Sequence, residues 1–295
     1  MKNCLKDTVD NHIHCCPHIN KRSTNIFEVV KHAENAGMHA IGLMDNFCNT
    51  SGYASLIKKY NPNLKLKVFG GLIMEPPAGG INLSNAKIAV NYGYEDSEGA
   101  KFISFPTHHT RFVALQENRP KSYIETCFFV HKNKAPDDET LKILDLIAEK
   151  NIVLNTGHIS GIENFNLVTY AKKAGVKKIL IPANNLKYED INLLKNLGAY
   201  FEFSYFFISK ATEIPLTHID NEKHTISKLE VDSMKNFIRS IGPEQVILSS
   251  DCGVSVLPKP HHGLLNFISI IKGLGFSSTE MKKMTSSNSK ELFNV

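Results

Sequence analysis

Eight short apolar runs punctuate the chain, and they restrict what it can fold into more than any other feature. They read "DTVDNHIH" (7–14), "HAIGLMDN" (39–46), "LKVFGGLIME" (66–75), "KFISFPTHH" (101–109), "NIVLNTGH" (151–158), "VKKILIPANN" (176–185), "AYFEFSYF" (199–206) and "QVILSSD" (245–251). The apolar stretches are continuous rather than alternating, which suits parallel strands covered on both faces.

Helical patterns fall between the runs. Ile26, Val29, Val30, Ala33 and Ala36 mark one helix face, with Asn25 and Glu28 set for a capping box and Gly37 for the end. Leu141, Leu144 and Ile147 mark a second helix. Ser160 and Glu163 open a third through Leu167, Val168 and Ala171, closed by Gly175. Ile191, Leu194 and Leu197 follow, then Leu264, Phe267, Ile268 and Ile271, and last a helix opened by Ser277 and Glu280. Strand and helix alternating through eight repeats predict an α/β fold, a (β/α)8 TIM-like barrel, as one domain over residues 1–295. An open doubly wound sheet is the alternative, weakened because no glycine-rich phosphate loop follows the first run. The connections 110–150 and 207–244 are long, and long loops at the C-terminal face of a barrel shape or cover its site.

Composition removes other classes. No apolar run reaches the roughly 18 residues that span a bilayer, and "MKNCLKDTVDNH" lacks the apolar segment of a secretion signal. The six cysteines form no C-x-x-C pair, so reduced thiols and a cytoplasmic location are expected. A net charge of +5 from scattered lysines favours an anionic small-molecule substrate over nucleic acid. No membrane partner is expected, and a homo-oligomer stays open.

Active sites of such barrels sit at the C-terminal strand ends. Those ends hold His12 and His14, Asp45 and Asn46, Glu75, His108 and His109, His158, Asn184 and Asn185, Glu202 and Tyr205, and Asp251. Residues two apart on a strand share a face, so His12 and His14 can meet one metal ion. His158 can supply a third imidazole, against the simpler reading of a buried histidine bonded to backbone. Asp251 can ligate the metal and take a proton from water, or merely end a turn. Glu75 can bridge metals or belong to a plain "MEPP" turn. Of the adjacent pair His108 and His109 only one can face the site, and His109 is preferred, as an oxyanion stabiliser. Arg111 can clamp a carboxylate or phosphate. Asn184, Glu202 and His262 are candidate substrate contacts. Cys15, Cys16 and Cys252 flank the proposed ligands and read as small packed residues.

These segments, "DNHIHCCPHI", "AENAGMHAIGLMDN", "GGLIMEPPAGGIN", "NTGHIS", "LGAYFE" and "ILSSDCGVSVLPKPHHGLLNFI", together resemble the amidohydrolase superfamily of metal-dependent hydrolases, in an amidohydrolase-like branch. The resemblance implies a divalent metal, zinc first with Mn, Fe or Ni as alternatives, and hydrolysis by metal-activated water. His12, His14 and Asp251 match the ligands of the first and eighth strands, and His158 matches the branch's "TGH" histidine. The sixth run, "IPANN", lacks the usual histidine, and no lysine ends the fourth, which favours one metal over two. The bond implied is an amide, lactam, lactone or other ester of a small molecule. A phosphoesterase, a decarboxylase and a degenerate barrel that binds a metabolite without turnover are the alternatives.

Overall fold

The computed structural model describes residues 4–94, 99–214, 216–217, 223–224 and 227–295. Its strands are β1 (Val9–Ile13), β2 (Ala40–Leu43), β3 (Lys67–Gly70), β4 (Leu72–Ile73), β5 (Phe102–Ser104), β6 (Val153–Asn155), β7 (Ile179–Pro182), β8 (Tyr200–Ser204), β9 (Leu216–Thr217), β10 (Lys223–His224) and β11 (Val246–Ser249). Parallel ladders join β1, β2 and β3, and then β4, β5, β6, β7, β8 and β11 in that order. β3 and β4 are two halves of one run separated by Gly71, so the first ladder leads directly into the second. The ring closes between β11 and β1: Asp251 N donates to His12 O and His14 N donates to Cys252 O, both at 2.9 Å. Eight strand positions result, all parallel, and each of the eight apolar runs supplies one. The short β9–β10 pair is antiparallel and stands outside the ring.

Strand residues alternate between barrel interior and helix layer. Ile41, Leu43, Ile103, Leu154, Ile181, Phe203 and Leu248 belong to the large core formed with the surrounding helices. Val9, Ala40, Phe69, Phe102, Val153, Leu180 and Ile247 form a second cluster inside the ring, with Leu292 and Phe293 of the last helix (Asn288–Phe293) packed onto it. That helix stoppers the N-terminal end. Two residues further along the same strands the buried side chains are polar: Asn11, Ser104, Asn155, Glu202 and Ser249, each at most 2% exposed.

Capping boxes form at Asn25/Glu28, Ser160/Glu163 and Ser277/Glu280, where the sequence places them. Helices at Ser51–Tyr60, Leu83–Ala89, Arg111–Gln116, Lys121–Ile124 and Val231–Ile241 add to the expected set. Among the described residues no helix is long and apolar enough to cross a membrane.

A bulge in β1 decides where its histidines point. Asp10 pairs with Ile41 and Ile13 with Leu43, so Asn11 and His12 together oppose the single residue Gly42. In an unbroken strand Val9, Asn11 and Ile13 would share the interior face, leaving His12 and His14 facing the helices. The extra residue resets the alternation, the usual way a bulge re-aims a side chain. Ile13 then packs in the helix-side core, and His12 and His14 turn to the barrel mouth. Gly42 lets the strands stay close, because a Cβ there would lie 2.5 Å from Asn11 O.

Candidate metal centre

Three ligand atoms converge at the junction of β1 and β11. His12 Nε2 and His14 Nε2 are 3.2 Å apart. Asp251 Oδ1 is 3.4 Å from the first and 3.3 Å from the second. Donors ~2.0–2.2 Å from one tetrahedral ion are separated by about 3.4 Å, so this near-equilateral triangle fits a zinc-sized cation with a further coordination position left over. These three form the one such group among the described residues.

Backbone geometry holds the triangle. The two hydrogen bonds that close the ring run to and from the ligand residues themselves. Asp251 adopts the left-handed conformation, with φ 49°, which turns its carboxylate back over β1. Ser204 Oγ donates to its other oxygen, Oδ2, at 3.3 Å. Gly253, at φ 130°, passes so close to β1 that a Cβ would fall 1.6 Å from His14 O. Below the triangle, Glu202 Oε1 lies 3.3 Å from His12 Nδ1 and accepts from Asn11 Nδ2 at 2.7 Å. A carboxylate behind a ligating imidazole fixes ring orientation and raises its basicity. Asp10 accepts from Ser250 N at 2.9 Å, tying β1 to β11 from the outer side.

The charges are tightly matched. Burial works to lower the pKa of His12, but Asp251 and Glu202 outweigh it and hold the value up at about 9. His14 falls to about 4, through burial first and then the charge of His12. Burial opposes ionisation of Asp251, but His12, His14 and His158 together bring its pKa down to about 2. The carboxyl group of Asp251 beside two imidazoles, with Glu202 behind His12, is a set of side chains that suits a cation.

Other candidate residues are placed as follows. His158 senses the charges of Asp251, His12 and Glu202, and burial drops its pKa to about 4. Its ring packs beside Phe207 and lies outside the converging three. Glu75 is fully buried and its carboxylate is taken by the 107–109 turn. Oε1 accepts from Thr107 N at 2.6 Å, Thr107 Oγ1 at 3.0 Å and His108 N at 2.6 Å, and Oε2 from His109 N at 3.2 Å. It anchors that loop in place of bridging metals. His109 points to Thr126, 3.2 Å from its Oγ1, and stacks edge-on against Tyr123. His108 takes the side facing the centre, its ring centroid 6.4 Å from that of His158. Arg111 lays its guanidinium over Phe129 at 3.6 Å. Asn184 Oδ1 accepts from Ser204 N at 3.0 Å and so braces the end of β8. Glu202 supports His12 from below. His262 packs against His261, whose ring meets His32 of the helix Ile26–Asn35, on the outer helical layer. Beside the triangle lie Arg22, His18 and Asp45, of which Arg22 carried no motif in the sequence.

The chain belongs to the family described as "Family of unknown function (DUF6282)", whose sequence model matches residues 7–202, from β1 into β8. Among curated proteins none matches the sequence. Solved structures share the fold along nearly the whole chain. The phosphotriesterase homology protein from Escherichia coli, complexed with phosphate in its active site, is similar at 13% identity and TM-score 0.62, covering 98% of this chain and 99% of its own. Organophosphorus hydrolase from Deinococcus radiodurans gives 12% identity and TM-score 0.56 over 90% of this chain and 82% of its own. 2,6-Dihydroxybenzoate decarboxylase from Rhizobium gives 8% identity and TM-score 0.53 over 98% and 99%. At these identities the likeness is one of fold, the (β/α)8 barrel.

Proposed function

We propose that this chain is a metal-dependent hydrolase of the amidohydrolase type, acting on an amide, lactam, lactone or other ester of a small molecule. The observation that carries the reading is the triangle of His12 Nε2, His14 Nε2 and Asp251 Oδ1, with edges of 3.2–3.4 Å, at the C-terminal mouth of a barrel. His12, His14 and Asp251 would hold one divalent cation, zinc first among the candidates. When bound, such an ion lowers the pKa of water and polarises the scissile carbonyl. Asp251 stays ionised at neutral pH and is the group positioned to accept a proton and return it to the leaving atom. Glu202 and Asn11 keep the His12 ring in place while charge changes beside it. His158, neutral at pH 7 and held by the Thr107 backbone, offers its other ring nitrogen as an acceptor beside the centre. Phosphoester cleavage is the second reading, favoured by the fold shared with a phosphotriesterase homology protein that holds phosphate.

The test is metal content by plasma mass spectrometry in protein purified without tag or chelator, beside a His12→Ala/His14→Ala variant. About one equivalent of a transition metal, lost in the variant, is expected. The loaded protein should then hydrolyse members of a panel of esters, lactones, amides and phosphoesters. Wild-type protein that takes up no metal from micromolar zinc or manganese would end the reading.

A further inference from the structure

The segment between β1 and the helix Ile26–Asn35 is fastened over the loop that follows β11. Cys16 N donates to Thr24 O at 3.0 Å, Ile26 N to Cys16 O at 3.0 Å and Ser23 N to Gly253 O at 2.7 Å. Arg22 itself bridges Val254 in antiparallel register. Its side chain is therefore held against the two loops that deliver all three converging ligands, and most of it is withdrawn from water. An arginine cannot shed its charge on burial, so an acceptor must offset it.

The surroundings supply donors more readily than acceptors. Arg22 Nε is buried with no hydrogen-bond partner. Arg22 Nη2 contacts His18 Nε2. His18 Nδ1 accepts from Asn20 N at 2.9 Å, which fixes the ring beside the guanidinium. Among the described residues no carboxylate lies within 4 Å of the guanidinium; Asp45 and Asp251 act on it only at longer range. Asp45 Oδ1 accepts from Phe47 N at 2.7 Å and lies 3.9 Å from His18 Nε2. Asp251 is turned to His12 and His14.

We propose that Arg22, with His18 beside it, is the binding site for an oxyanion, a carboxylate or phosphate group carried by the substrate of the adjacent centre. The inference rests on the hydrolase reading for the word substrate, and on the Arg22 geometry alone for the anion. A carboxylate, or two oxygens of a phosphate, matches the guanidinium fork in two places. Placed there, it sets the remainder of a small molecule over the His12–His14–Asp251 triangle. Cleavable compounds would then be acidic esters, lactones or amides, or phosphoesters, and neutral analogues would be poor substrates.

The experiment measures binding of inorganic phosphate and of acetate by calorimetry at constant ionic strength, with the protein kept metal-free by chelator. Wild type, Arg22→Met and Arg22→Lys are compared, each checked for folding by circular dichroism and thermal midpoint. Saturable binding to wild type is expected, weakened about 30-fold in Arg22→Met, as for loss of hydrogen bonds to a charged group. Arg22→Lys should recover part of it, because it keeps the charge without the fork. Tighter binding of phosphate assigns the group as phosphate, and tighter acetate assigns a carboxylate. Equal binding by wild type and a folded Arg22→Met, or no binding by wild type, overturns the proposal. Metal content of the same samples separates the two readings. Arg22-dependent anion binding in protein that takes up no metal leaves the anion site and removes the hydrolase. Metal uptake with no Arg22 dependence removes the anion site alone.

Discussion

The two ends of the barrel interior are built from the same strands two residues apart, yet they are chemically opposite. Toward the N-terminal end Val9, Phe69, Phe102, Val153, Leu180 and Ile247 pack with Phe293 into a dry plug. Toward the C-terminal end Asn11, Glu202 and Ser249 are as deeply buried, and above them stand His12, His14, His158 and Asp251. Burial of apolar area stabilises the first set, whereas the second keeps buried polar atoms only partly paired, among them Asn11 Oδ1, His14 Nδ1 and Ser249 Oγ. The difference separates what holds the barrel together from what it is for: one end can lose volume without touching chemistry, and the other can lose charge without collapsing.

Three variants test that separation, beginning with the greatest effect. Phe293→Ala, which empties the plug beside Phe69, should cost about 3–5 kcal/mol in urea unfolding. Its metal stoichiometry should remain that of wild type. A matching loss of metal would show that the two ends are coupled. Glu202→Gln leaves the shape and removes the charge behind His12, so metal affinity should fall about 10- to 100-fold by competition with a chromophoric chelator. Unchanged affinity would reduce Glu202 to packing. The third effect is a pH slope. Burial holds His158 at about 4, well below its ordinary value of 6.5. As pH falls through 6.5 the unfolded chain takes the proton and the folded one does not. Stability should drop until about pH 4, where both are protonated and this contribution levels off. Metal-free wild type should show the drop, His158→Asn should flatten it by up to about 1.4 kcal/mol per pH unit, and Phe293→Ala should leave the slope unchanged.

The fold was legible because most barrel strands are buried on both faces, so each left a short, mainly apolar run in the sequence. The helix Val231–Ile241 was missed although Met234, Phe237 and Ile238 carry the spacing of a buried face, because it lies in the connection 207–244, read as a long loop over the site. Within the site, shared direction of His12 and His14 follows from their spacing, but which way the pair faces depends on the β1 bulge, which exists only once β2 lies alongside. The reading of Glu75 stayed open between metal bridge and plain turn because its four donors come from residues 107–109, more than thirty positions away. The choice between His108 and His109 turned on Thr126 and Tyr123, in a connection with no periodic pattern. Arg22 was invisible for the same reason: its burial is made by the loop after β11, at the far end of the chain.

That closure has a consequence for biosynthesis. His12 and His14 emerge from the ribosome well before Asp251, which follows His14 by 237 residues (251 less 14). The bonds between His12, His14 and the Asp251–Cys252 segment cannot form until the chain through Cys252 has been made. A nascent chain therefore carries two histidines without the carboxylate that completes their triangle. Any product stopped before residue 251 would have most of a barrel's strands and lack the third corner of the triangle.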